Sequence, residues 1–245
     1  MVTLRPPTHT CTNDRFHMIA NDNHWFFALP ARRPEAEGAD RAALLNSVQW
    51  KPNSVITCSF LDGDPAVWDR VKAAAKIWFC GINRLHLEFR KDTTKTQVRI
   101  SFNRPGSWSY LGNTCEHIAL PEPTMNFGWL TPATAEDDLR GVVLHEFGHA
   151  LGLVHEHQSP IGGIQWNKKT IYKELSQPPN NWTTDEIDQN IFNASAAHET
   201  NYTEFDPTSI MIYPIPARWT LDGFSVSPNN DLSAVDKQLI KQLYG

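Results

Sequence analysis

Three histidines and a glutamate stand at a spacing that makes metal chemistry the first hypothesis for this chain. They fall in the run His145-Glu146-Phe147-Gly148-His149-Ala150-Leu151-Gly152-Leu153-Val154-His155. On a helix, residues four apart lie one turn apart on the same face, so His145 and His149 can aim both imidazoles at one ion. Glu146 projects around the helix from that axis, where its carboxylate can hold a water beside the metal without ligating the metal itself. That is where a general base belongs. A catalytic zinc site needs a third protein ligand and one position left for water. His155 supplies the ligand if the chain turns after His149, since a straight helix would carry it away along the axis. Gly152 permits the positive φ that such a turn requires. Without a metal, burying three imidazoles and a carboxylate so close together would cost on the order of several kcal/mol.

These groups need a scaffold, and the chain supplies elements in a consistent order. A helical pattern over residues 137 to 152 carries the motif. Upstream, residues 54 to 60 are β-branched and aromatic and read as a strand, after which Asp64 caps a helix that begins at Pro65. Val67, Val71, Ala74, Ala75 and Trp78 recur on one face of that helix, and Gly81 is placed to end it. Alternation at Leu85, Leu87 and Phe89, and again at Val98, Ile100 and Phe102, marks two half-buried strands. Two shorter strands are expected over 108 to 111 and 124 to 130. Residues 159 to 206 read as irregular with short helical fragments. A last helix over 231 to 243 shows Leu232, Val235, Leu239, Ile240 and Leu243 on one face. Residues 1 to 45 have no sustained periodicity and read as an N-terminal extension.

Composition sets outer bounds. The chain has 245 residues, 40% apolar and 20% charged, which suits a folded domain with a sizeable core. A net charge of -5 argues against an electrostatic grip on nucleic acid. No stretch is long and apolar enough to span a membrane, and the first residues show no export signal. Cys11, Cys58, Cys80 and Cys115 lack the close pairs of a zinc ribbon or redox motif, and read equally as two disulfides or four buried thiols.

The run from His145 to His155 fits H-E-x-x-H-x-x-G-x-x-H, and Ser209-Ile210-Met211-Ile212-Tyr213 looks like a Met-turn with its tyrosine. Together they resemble the metzincins. Glu156 directly after the third histidine and Tyr213 two residues after Met211 resemble the astacin-like branch, as does Trp108-Ser109-Tyr110-Leu111-Gly112, which is similar to that branch's upper strand. The likeness covers roughly residues 46 to 245. It implies an α+β, two-lobed catalytic domain over 46 to 245. The upper lobe, about 46 to 152, would hold a mixed five-stranded sheet with two long helices above the cleft. The lower lobe, about 153 to 245, would be mostly irregular with a C-terminal helix.

The resemblance also assigns roles. One catalytic zinc ion would be held by His145, His149 and His155, with Glu146 as base. Met211 would form an apolar base beneath the ligands, and Tyr213 would serve as a fifth ligand or as a hydrogen-bond donor to the transition state. Gly152 and Glu156 would support the site structurally. Trp108, Ser109, Tyr110 and Leu111 would line the substrate cleft, with Pro214 and Pro216 at the primed side. A third ligand at Glu174, in the thermolysin manner, is disfavoured by the pairing of Gly152 with His155. His157 has no spacing rule in its favour and reads as a surface or supporting residue.

The disulfide plan of astacins does not carry over, because Cys115 lies later than its expected partner. Residues 1 to 45 also precede the point where an astacin's freshly cut N-terminus would meet Glu156, so they read as an extension or a removable pro-segment. The expectation is a monomeric, secreted zinc endopeptidase acting on proteins or peptides. The alternatives are a non-catalytic zinc-stabilised binding module or a latent zymogen.

Overall fold

The computed structural model describes residues 48–91, 95–159, 161–178, 180–193 and 205–245. The extension expected over 1 to 45 lies outside them. Strand β1, Ser54–Phe60, leads through Asp64 into helix α1, Pro65–Ala75. The Asp64 carboxylate accepts from the Ala66 amide at 2.8 Å, and Pro65 occupies the first turn, where a missing N–H costs nothing. α1 buries Val67, Val71, Ala74 and Ala75, and a 3-10 turn over Lys76–Phe79 continues it and seats Trp78 in the core.

The remaining strands are β2, Leu85–Phe89, β3, Val98–Ser101, β4, Ser107–Ser109, and β5, Met125–Phe127. The sheet order is β2-β1-β3-β5-β4. All pairs are parallel except β4 with β5, so the sheet is mixed and β4 is an antiparallel edge strand. The two short strands end earlier than the 108 to 111 and 124 to 130 expected of them. At β4 the cause is Gly112, whose φ of 51° diverts the chain into a 3-10 turn over Gly112–His117. Buried Arg99 on β3 holds the intervening loop to the sheet by donating to the carbonyls of Glu122, Thr96 and Ile118 at 2.7, 2.8 and 3.0 Å.

Helix α2, Glu136–Ala150, opens with Glu136, Asp137 and Asp138, which complement the positive end of its dipole. It packs against α1, and from the 3-10 turn that continues α1 the Trp78 indole N–H donates to the Leu144 carbonyl at 2.8 Å. Its end comes two residues before the periodicity suggested. Gly152 takes φ 96°, its amide reaches the His149 carbonyl at 2.8 Å, and the Leu153 amide reaches Gly148 at 3.0 Å. This pair of reversed bonds is a Schellman stop, which only a residue tolerant of positive φ accommodates cheaply.

Beyond α2 the chain is mostly irregular. Helix α3, Lys168–Leu175, and helix α4, Thr184–Ile187, are short, and a π turn over Asp188–Phe192 follows α4. A second core forms here from Ile171, Leu175, Trp182, Ile187, Ile191, Ile212, Ile215 and Trp219. The closing helix α5, Ala234–Tyr244, starts later than its apolar face suggested because Ser233 caps it, in a reciprocal capping box with Asp236. Its Ile240 and Tyr244 join the first core, and the Tyr244 hydroxyl donates to the Leu151 carbonyl at 3.0 Å, just past the end of α2. Among the described residues, no helix is long and apolar enough to cross a membrane.

Candidate metal centre

The last turns of α2 carry His145 and His149, and the Schellman stop turns the chain back to bring His155 to them. The Nε2 atoms of His145 and His149 lie 3.3 and 3.1 Å from that of His155. The opposite ring nitrogens are tied down: His145 Nδ1 donates to the Ile210 carbonyl at 2.8 Å and His149 Nδ1 donates to the Leu153 carbonyl at 2.8 Å. These bonds fix one tautomer and leave the Nε2 lone pairs facing each other, the arrangement in which imidazole binds a metal. Burial pushes the His145 pKa down to about 4, against the pull of the Ile210 carbonyl, so the ring stays neutral. Among the described residues, no other cluster of His, Cys, Asp or Glu converges as these three side chains do.

Glu146 is fully buried beside them, and neither carboxylate oxygen has a hydrogen-bond partner among the described residues. Burial holds its pKa well above the ordinary carboxylate range. A buried carboxyl with no partner among the described residues, next to three clustered imidazoles, is costly unless a cation and a water complete the site. The donor set therefore fits a zinc ion, which takes nitrogen ligands from three histidines and keeps a position open.

The segment after Asp206 forms the floor. The Asp236 carboxylate accepts from the Ser209 hydroxyl at 2.7 Å and the Ile210 amide at 2.8 Å while it caps α5, and the Met211 amide donates back to the Ser209 hydroxyl at 3.0 Å. This tight turn presents two carbonyls to the site: Ile210 orients His145, and Met211 accepts from the Glu156 amide at 3.0 Å. The Met211 side chain lies against Gly148 on α2. The sequence motif leaves position 148 unspecified, so this requirement was not legible there.

Tyr213 is buried, with its ring centroid 4.3 Å from that of His155 and 5.8 Å from that of His145. Burial, and secondarily the nearby Glu146, raise its pKa well above the usual phenol range, so it remains a proton donor. Glu156 lies behind the ligands, its carboxylate accepting from the Asp206 amide at 3.0 Å. Burial pushes its pKa up to about 7, helped by the carboxyls of Asp206 and Asp236.

The structure brings Glu146, Met211, Gly152, Glu156 and Tyr213 around the three histidines. The cleft residues are distributed differently. Trp108 and Leu111 are buried and Ser109 turns its hydroxyl to the Tyr110 carbonyl at 2.9 Å, while Tyr110, Pro214 and Pro216 are half-buried. Glu174 stands apart from the histidines in an ion pair with Arg218 at 2.8 Å, and also accepts from the Trp219 indole. His157 is buried rather than superficial, packed on Tyr213 and His155. Its neighbours come from distant segments, which local spacing does not reveal. Cys58, Cys80 and Cys115 are free thiols.

No protein-family model matches the chain, and no curated protein does. Among solved structures, myroilysin is 39% identical with a TM-score of 0.79, over 82% of this chain and 97% of that one. A second myroilysin structure is likewise 39% identical, with a TM-score of 0.63 over 81% of this chain and 86% of that one. The fold is also shared with high choriolytic enzyme 1, a hatching enzyme zinc-protease from Oryzias latipes (Medaka fish). That protein is 20% identical with a TM-score of 0.56, over 81% of this chain and 95% of that one.

Proposed function

The chain belongs to the astacin-like branch of the metzincins, and from that premise we propose that His145, His149 and His155 hold its catalytic zinc ion and that Glu146 is its general base. The activity is that of a zinc-dependent endopeptidase acting on proteins or peptides. The observation that carries this reading is the convergence of three histidine Nε2 atoms beside a buried glutamate whose oxygens have no partner among the described residues.

A zinc ion held by His145, His149 and His155 would supply Lewis acidity, to acidify a water and to polarise the scissile carbonyl. With a cation in the cradle to favour its ionised form, Glu146 would take the water's proton and hand it to the departing amine; neither of its oxygens has another partner among the described residues. Tyr213 donates its hydroxyl hydrogen to the carbonyl oxygen as that atom gains charge, a bond that accelerates the reaction because it strengthens in the transition state. Met211 closes the floor with apolar surface, and Glu156 fixes the segment that follows the third histidine. The edge strand β4 and the following Tyr110 and Leu111 offer main chain for an extended substrate to pair with, and the segment at Pro214 and Pro216 borders the primed side.

Residues 46 to 245 form the catalytic domain in this reading, and residues 1 to 45 are an extension or pro-segment. The enzyme works as a secreted monomer, a reading supported by family habit. A non-catalytic zinc module is disfavoured because a purely structural site has no use for a buried carboxyl at Glu146 that lacks a partner among the described residues. The test is cleavage of casein and of a quenched-fluorescence peptide library, with chelator and with zinc restored. Cleavage should stop on chelation and return with zinc. Zinc-loaded protein that cuts nothing, even after removal of residues 1 to 45, would overturn the endopeptidase reading.

A further inference from the structure

Tyr213 acts only if its hydroxyl is held in place, yet it follows a turn and lies in no helix or strand. Side-chain torsions alone would let the ring swing, and an error of about 1 Å in a catalytic group costs on the order of a hundredfold in rate. Something must fix the ring plane. Among the described residues the imidazoles of His145, His155 and His157 contact it, and the one with a stacked face that is not among the proposed ligands is His157, at 4.7 Å between centroids and 25° between planes.

The orientation of His157 is itself determined. Its Nε2 is turned toward the Asn190 carbonyl at 2.8 Å, so that nitrogen is a donor tied to the π turn. The indole of Trp166 meets its ring edge-on at 6.3 Å and 89°. The next residue repeats the tie: Gln158 donates its side-chain amide to the Gln189 carbonyl at 2.7 Å. Two consecutive side chains after the third histidine thus dock on two consecutive carbonyls of the π turn Asp188–Phe192. The other ring nitrogen of His157, Nδ1, is buried and has no partner among the described residues. A phenylalanine would fill the same volume without that cost, so packing alone does not account for a histidine here.

We infer that His157 is a positioning residue for Tyr213: anchored to the Asn190 carbonyl, its ring sets the plane of the tyrosine beside the histidine cradle. The π turn is thereby tied to catalysis through His157. The inference rests on the donor role of Tyr213, and a double-mutant cycle separates the two.

The variants are His157→Phe, Tyr213→Phe and the double substitution, each with zinc content, kcat and KM measured on the full chain. His157→Phe keeps a ring of similar size and removes the anchor. It should lower kcat about tenfold, with KM within about twofold and one zinc per chain. Tyr213→Phe should lower kcat about a hundredfold. The double variant should be no slower than Tyr213→Phe alone, because His157 acts through a hydroxyl already gone.

Should His157→Phe fail to fold, His157→Gln, which keeps a donor but no ring, takes its place in the cycle with the same expectation. An equal loss in both backgrounds, an unchanged kcat, or loss of zinc would overturn the inference. If Tyr213→Phe itself leaves kcat unchanged, the donor role falls and the inference falls with it.

Discussion

The sulfur of Met211 lies where a side chain at position 148 would have to be: a β-carbon added to Gly148 would sit 2.3 Å from it. The indole of Trp78 borders the same space, 3.2 Å from that β-carbon. The helix that carries two proposed ligands and the turn that orients one of them therefore meet only because residue 148 has no side chain.

Gly148→Ala is expected to destabilise the fold by about 1–3 kcal/mol through overpacking, and to weaken zinc binding as α2 is pushed off the turn. Met211→Ala should relieve part of that cost. Urea unfolding of the two single variants and the double variant checks this, the expected result being a double variant more stable than the summed losses imply.

Gly152→Ala should cost about 1–2 kcal/mol, since φ 96° is strained for any residue with a β-carbon. The same strain would shift His155 at the far end of the turn. Thermal unfolding together with zinc competition against a chromogenic chelator should show both stability and affinity reduced. Loss of stability with affinity intact would mean that the turn does not position His155.

Asp236 gives a pH signature. Burial, the largest influence, holds its pKa above the usual value of roughly 4 despite the bonds from Ile210, Ser209 and Ser233. The folded state thus keeps the proton to higher pH than the unfolded chain does. The stability this contributes is fully present below the unfolded pKa and is lost as pH rises through the folded one. Asp236→Asn removes the titration and breaks the donor arrangement, costing about 2 kcal/mol at low pH. Its deficit against wild type should shrink as pH rises from the unfolded toward the folded pKa, which denaturant titrations at several pH values would show.

The thiols should separate by reactivity. Burial raises the pKa of Cys58 well above the ordinary thiol range and that of Cys115 to about 12, while Cys80 is exposed. Thiolate is the reactive form. In a Cys11→Ser background, iodoacetamide at neutral pH should label Cys80 in the native protein and reach Cys58 and Cys115 only in denaturant, as read by mass spectrometry. Native labelling of Cys115 would contradict the packing described.

What the sequence reveals here follows from range. His145, His149 and Glu146 are readable because a helix converts spacing into direction, and Gly152 is readable because one residue makes the turn toward His155. Strand β1 and the Asp64 cap are likewise local, and both fall where the pattern places them. Gly148 and His157 are not readable in this way. The meaning of each depends on a partner far along the chain, Met211 for one and Tyr213 with Asn190 for the other. The start of α5 departs from its apolar pattern for a related reason. Leu232 faces the core like a helical residue, but Ser233 caps the helix after it.

The most direct test of the site is Glu146→Gln, an isosteric change that removes the base and leaves the three histidines untouched. Zinc per chain and turnover of a quenched peptide are measured on the same preparation. The expected result is one zinc per chain, as in wild type, with kcat lower by about a thousandfold. A variant that holds its zinc and cleaves within about threefold of wild type would contradict the role given to Glu146, and with it the mechanism proposed for this site.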